Sequence, residues 1–79
     1  MAVRRLSDMK TGEEGKISQV GGSGQIHRRL LDMGVIPKTT VKVERVAPMG
    51  DPIWIRLKGY HLSLRREEAA NIYVEVEVA

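Results

Sequence analysis

The stretch Ile53-Trp54-Ile55-Arg56-Leu57-Lys58-Gly59-Tyr60-His61-Leu62-Ser63-Leu64 decides the fold class. Ile53, Ile55 and Leu57 alternate with Trp54, Arg56 and Lys58, and beyond Gly59 the residues Tyr60, Leu62 and Leu64 alternate with His61 and Ser63. A period of two sends successive side chains to opposite faces, so this stretch predicts the two strands of a hairpin with one apolar face. Just upstream, Ala47-Pro48-Met49-Gly50-Asp51-Pro52 carries two prolines and a glycine in six positions. Such a segment cannot continue a central strand; it predicts an exposed loop of restricted backbone, the best contact surface in the chain.

Further upstream, Thr40 to Val46 alternates apolar and polar residues over its first half, which predicts a half-buried strand entered from a turn at Pro37. Gly34 is expected to stop a helix running from about Gly24 to Met33, with Ser23 as its cap and Ile26, Leu30 and Met33 on one face. Gly21-Gly22-Ser23-Gly24 forms a bend, preceded by a strand from about Lys16 to Val20. Leu6 to Met9 reads as a brief turn or short helix. Downstream of the hairpin, Arg65 to Asn71 reads as a short helical turn. A final strand then sets Ile72, Val74, Val76 and Val78 opposite Tyr73, Glu75 and Glu77. About five short strands with one inserted helix predict a mainly β fold, a small closed or nearly closed barrel.

The 79 residues make one domain, 1–79, without room for separate catalytic and binding units. With no cysteine, a hydrophobic core must hold the fold without disulfide or thiolate support, which suits a reducing cytosol. No apolar run is long enough to span a bilayer and the N-terminus lacks a secretory signal, so a cytoplasmic location is expected. The net charge of +3 arises from interspersed charges of both signs, which permits acidic partners without requiring them.

The punctuation of the chain also resembles the ferrous-iron transport protein A (FeoA) family. The resemblance rests on Leu6 followed by Gly12, Gly15 and Ile17, on Arg29-Leu30-Leu31-Asp32-Met33-Gly34-Val35-Ile36-Pro37, and on Ala47-Pro48-Met49-Gly50-Asp51-Pro52-Ile53. It continues through Leu62-Ser63-Leu64-Arg65 and Glu68-Ala69-Ala70-Asn71-Ile72, so that it spans about Leu6 to Val78. It implies an SH3-like barrel. It also implies a small cytoplasmic partner of the membrane protein that imports ferrous iron, a polytopic transporter with a cytosolic GTP-binding domain. Similar domains close the iron-responsive repressors of the diphtheria toxin repressor type; an opening methionine with no helix-turn-helix ahead of the barrel favours the freestanding reading. Lys38 departs from the family, which usually places glycine after the proline. A type II turn would need positive φ there, so a type I turn or a strained one is expected.

Each candidate site has a plainer reading beside it. The glycine bend before the helix invites a phosphate cradle, but no Lys-Ser or Lys-Thr pair follows, and a turn with a cap accounts for it. His27 and His61, with Asp32, Asp51 and Glu44, have no metal-ligand spacing, so no metal and no cofactor is expected. No serine or threonine has a histidine and a carboxylate at a recognisable spacing, and no catalysis is expected. Nucleic-acid binding through Arg4-Arg5, His27-Arg28-Arg29 and Arg65-Arg66 is the alternative from another class, weakened because Trp54, Tyr60 and Tyr73 are the only aromatics. Trp54 falls on the face opposite Ile53, Ile55 and Leu57, either as an exposed anchor or covered by the helix. The expected partner-binding set is therefore Met49, Asp51, Trp54, Arg56, Arg28 and Arg29, docking on the transporter's cytosolic part, with weak self-association also open.

Overall fold

The computed structural model describes residues 2–77. In chain order it holds β1 (Ala2–Arg5), a 3-10 turn (Leu6–Asp8), β2 (Glu14–Val20), α1 (Gly24–Asp32), β3 (Thr40–Val46), β4 (Ile53–Leu57), β5 (Tyr60–Leu64), α2 (Arg66–Ala69) and β6 (Ile72–Val76). The strands form one six-stranded antiparallel sheet in the order β1-β6-β2-β3-β4-β5. The mainly β, SH3-like architecture stands, with a sixth strand, β1, beyond the five expected. Of the closed and nearly closed alternatives the second holds: the sheet curls into a barrel-like shape without hydrogen-bonded closure, because β1 and β5 remain its two edges. The expected end of the last strand at Val78 lies outside the described residues.

The core collects the apolar residues of the alternating strands. Ile17, Val41, Val43, Ile53, Ile55, Leu57, Leu64, Ile72 and Val74 are at most 1% exposed, and Leu6, Leu30 and Val35, from the turns and the helix, join them in the same buried cluster. Val41, Val43, Ile55 and Leu57 lie directly opposite one another across the β3–β4 ladder, so one continuous apolar face is built from two strands. The ladder is interrupted once. Ile55 faces Val43 but Trp54 faces Arg45, so Glu44 and Arg45 together occupy the place of one residue. This bulge is where the alternation of Thr40 to Val46 breaks down in the sequence.

The inserted helix differs from expectation in how it meets the barrel. Leu30 is fully buried and Met33 packs partly against the core, but Ile26 is 36% exposed. Gly22 to Ile26 are exposed throughout, so α1 contributes to the core only through its last turn. Ser23 stands at the N-cap with extended backbone, φ −133°, yet its hydroxyl makes no capping bond. Gly34 ends the helix as expected, with φ +88°, and the Tyr60 hydroxyl donates to the Met33 carbonyl at 2.6 Å beside it.

The turn after Pro37 keeps the type II geometry although lysine replaces glycine. Lys38 has φ +73°, and Thr39 N–H donates to the Ile36 carbonyl at 3.3 Å. The conformation is held because Lys38 N–H donates to the Ile17 carbonyl at 2.7 Å and Ile17 N–H donates to the Thr39 carbonyl at 2.9 Å. These bonds to β2 hold a lysine in the left-handed region, which ordinarily costs about 1–2 kcal/mol.

Gly15 is required for a different reason. A Cβ there would overlap the Glu75 carbonyl and stand 2.8 Å from Val74 Cγ1, so β2 and β6 approach more closely than any other side chain allows. Gly15→Ala is expected to lower the unfolding free energy by about 2 kcal/mol or more, as forced overpacking does. Denaturant unfolding measures this, and an alanine variant as stable as the parent would contradict the packing.

Candidate functional site

The loop between β3 and β4 is a closed hairpin tip. Ala47 N–H donates to the Pro52 carbonyl at 3.1 Å, and Gly50 N–H donates back to the Ala47 carbonyl at 2.7 Å, forming a tight turn with Pro48 and Met49 at its centre. Pro48 fits the first central position because its ring presets φ. Met49, held at the apex, is 90% exposed, by far the most exposed large apolar residue described.

Asp51 faces inward from this tip and is spent on bracing it. Its Oδ1 accepts the Arg66 N–H at 3.1 Å and its Oδ2 pairs with Arg65 Nη2 at 3.1 Å, tying the loop to α2. That short helix is fixed in turn by Glu68, only 5% exposed, whose Oε1 accepts the Arg65 N–H at 2.9 Å. The other oxygen, Oε2, lies 3.5 Å from Arg29 Nε. A polar relay therefore runs from the tip through α2 to α1, linking Asp51 and Arg29 by way of two residues, Arg65 and Glu68, that were absent from the expected set. Arg28 is exposed on the same helix.

Trp54 and Arg56 belong to the outer face of β4. Trp54 is half-buried, and the group over its ring is the Arg45 guanidinium, 4.9 Å from the centroid. The β3 bulge delivers Arg45 to that position, which the alternation alone does not reveal. Arg56 Nε pairs with Glu44 at 3.0 Å, and the same Oε1 lies 3.3 Å from His61 Nδ1. The expected residues thus form two groups, the braced tip with its relay and the Arg45-covered tryptophan with its ionic neighbours, joined through Pro52 and Ile53.

Other candidates find structural partners. His27 Nδ1 lies 3.2 Å from the Gly21 carbonyl, tying α1 to the end of β2. Arg4 pairs with Glu13 at 2.9 Å and donates to the Asp8 carbonyl at 2.6 Å, while Arg5 lies over the Tyr73 ring. Several arginines of the conceivable basic patch are thus engaged within the chain. Among the described residues no three His, Asp or Glu side chains gather as a metal site needs, and no helix is long and apolar enough to cross a membrane.

The fold defines the class as a small SH3-like domain. The FeoA domain model matches residues 4–76, and the chain belongs to the FeoA family. Over 72 residues, 91% of the chain, it is 43% identical to the Fe(2+) transport protein A/Fe(2+) transporter FeoB fusion protein of Porphyromonas gingivalis, of which it spans only 8%. The FeoA-like protein of Clostridium acetobutylicum, solved by NMR, has the same fold at TM-score 0.89 and 37% identity, with 100% of this chain and 92% of that one covered. The FeoA of Stenotrophomonas maltophilia, complexed with zinc and described as a prokaryotic SH3 domain protein, matches at TM-score 0.78 and 23% identity over 89% of this chain and 87% of that one. The last likeness carries the fold alone.

Asp51→Ala removes both contacts that tie the tip to α2. It is expected to cost about 1 kcal/mol of stability and to speed amide exchange at Gly50. Unchanged exchange at Gly50 in a folded variant would show that the brace is unimportant.

Proposed function

We propose that the chain is an accessory protein of ferrous-iron uptake, without catalytic activity of its own, that docks on the cytosolic GTP-binding part of the iron transporter. The observation that carries this reading is the relative in which a domain 43% identical over 72 residues is fused to the FeoB transporter. Fusion keeps two modules at high effective concentration, an arrangement useful where their contact is functional but individually weak.

The docking surface is the β3–β4 tip, with Met49 as the adaptable apolar contact and Trp54 beneath Arg45 as the aromatic anchor behind it. Arg56, Arg28 and Arg29 supply the charged surround, and Asp51 acts by holding the tip in shape. A tip already closed by two backbone bonds loses little conformational freedom on binding, which favours affinity from a small surface. The effect on the transporter is on nucleotide turnover or on assembly, exerted through this contact surface.

Titration of the whole chain against the transporter's cytosolic domain tests this. Met49→Ala combined with Trp54→Ala is expected to weaken the complex about ten-fold or more, equivalent to about 1.4 kcal/mol. Met49→Ala alone, at a position 90% exposed, should weaken it with no change in thermal unfolding. Affinity unchanged in both variants would remove this surface from consideration.

A further inference from the structure

The free edge of β5 has a feature that the docking tip does not explain. β4 and β5 are joined by the two-residue turn Lys58-Gly59, with φ +48° and +81°, and pair without any register shift: Leu57 with Tyr60, Ile55 with Leu62 and Ile53 with Leu64. In an antiparallel ladder closed by such a turn, the residues flanking it are the hydrogen-bonded pair, and every second pair after them repeats it. Tyr60, Leu62 and Leu64 therefore spend their main-chain groups on β4. The N–H and C=O groups of His61 and Ser63 point the other way.

Among the described residues, β5 has no second strand neighbour, and no turn, loop or side-chain hydrogen bond engages the main chain of His61 or Ser63. Both residues are exposed. Natural edge strands are ordinarily guarded by proline, lysine, a bulge or an inward-pointing charge. Tyr60-His61-Leu62-Ser63-Leu64 carries no proline, no lysine and no carboxylate, and its pairing with β4 has no bulge. The opposite edge, β1, carries Arg4 and Arg5.

We propose that β5 is a self-association edge, pairing antiparallel with β5 of a second copy about a two-fold axis through Leu62. That occupant is favoured by self-complementarity. The axis sets His61 opposite Ser63 of the second copy and Ser63 opposite its His61, so the four outward groups of each chain are all satisfied by the same four groups of the other. Within the paired strands, residues 60 to 64, no like charges face each other. The two Leu62 side chains become a non-hydrogen-bonded pair, where side chains approach most closely, and each covers the half-buried flank that the other leaves at the end of the core. So short a ladder gives a weak, concentration-dependent dimer and leaves Met49 at the far end of β4 free.

Sedimentation equilibrium of the whole chain between about 10 µM and about 1 mM, spanning dissociation constants typical of weak complexes, reads the dimer directly. The weight-average mass is expected to rise toward twice that of one chain. His61→Lys with Ser63→Lys sets like charges opposite each other and should abolish the rise, whereas His61→Lys with Ser63→Glu sets opposite charges together and should restore it. Because the chain has no cysteine, Leu62→Cys provides an independent readout: non-hydrogen-bonded pairs have Cα atoms about 4.5 Å apart, within disulfide range, so mild oxidation should give a cross-linked dimer. A chain that stays monomeric at the highest concentration with Leu62→Cys uncross-linked overturns the proposal, as does a dimer indifferent to both charge pairs. A monomer whose His61 and Ser63 amides gain protection only when the transporter domain is added would also overturn it, assigning the edge to a foreign strand.

Discussion

The structure depends on how closely β2 passes β6 at Gly15. β2 is the strand shared by the two halves of the sheet: Glu14 to Lys16 pair with β3, while Lys16 to Val20 pair with β6. At the overlap the strand must bend from one partner to the other, and it does so with a glycine against the Glu75 main chain and an extra residue, Ser18, between Ile17 and Gln19. The Ser18 hydroxyl donates to the Tyr73 carbonyl at 3.2 Å, so the irregularity keeps a partner on β6. Much of the remaining chain hangs on this strand. The Lys38 turn bonds to Ile17, and Gly12 and Glu13 exchange main-chain bonds with Val43, which fixes the middle of β3 against the entry to β2.

Surface organisation follows from that frame. Once β3 and β4 are placed, the β3 bulge puts Arg45 over Trp54 and leaves Glu44 to join Arg56 and His61. The tip beyond them is rigid for reasons that can be named: a proline-led turn, a closing pair of main-chain bonds, and a carboxylate reaching α2. Few of these contacts are buried, so their role is to limit the conformations of the tip more than to stabilise the barrel, and exposed ion pairs contribute little to stability in any case. Limiting conformations is what a small contact surface needs, because immobilising a free loop on binding offsets much of what its contacts gain.

Much of the barrel was legible because its signals are local. The hairpin from Ile53 to Leu64, the strand from Thr40 to Val46 and the glycine stop at Gly34 each rest on alternation or backbone chemistry carried by the residues themselves. β1 was not legible, since Ala2 to Arg5 has no clean alternation and becomes a strand only by pairing with β6. Ile26 was assigned to the buried face because period alone does not tell how far along its length a helix touches the barrel. At the candidate site, the exposure of Met49 follows from its place in a proline-bounded loop, whereas the alternation of β4 leaves Trp54 open between an exposed anchor and one covered by the helix, and the group over it is Arg45. The inward role of Asp51 and the participation of Arg45, Arg65 and Glu68 do not follow from sequence, because they depend on a bulge and on contacts between segments distant in the chain. Lys38 shows the converse: the turn keeps its geometry against the preference of its residue, since bonds to β2 outweigh the local cost.

The central proposal is that the barrel works by presenting a pre-shaped tip to a protein partner. Amide hydrogen exchange of the whole chain, alone and saturated with the transporter's cytosolic GTP-binding domain, tests it most directly. Slowed exchange concentrated on residues 47 to 54 and the adjoining start of α2 is the predicted result. Exchange across that segment that is the same in the free and the saturated chain would contradict it.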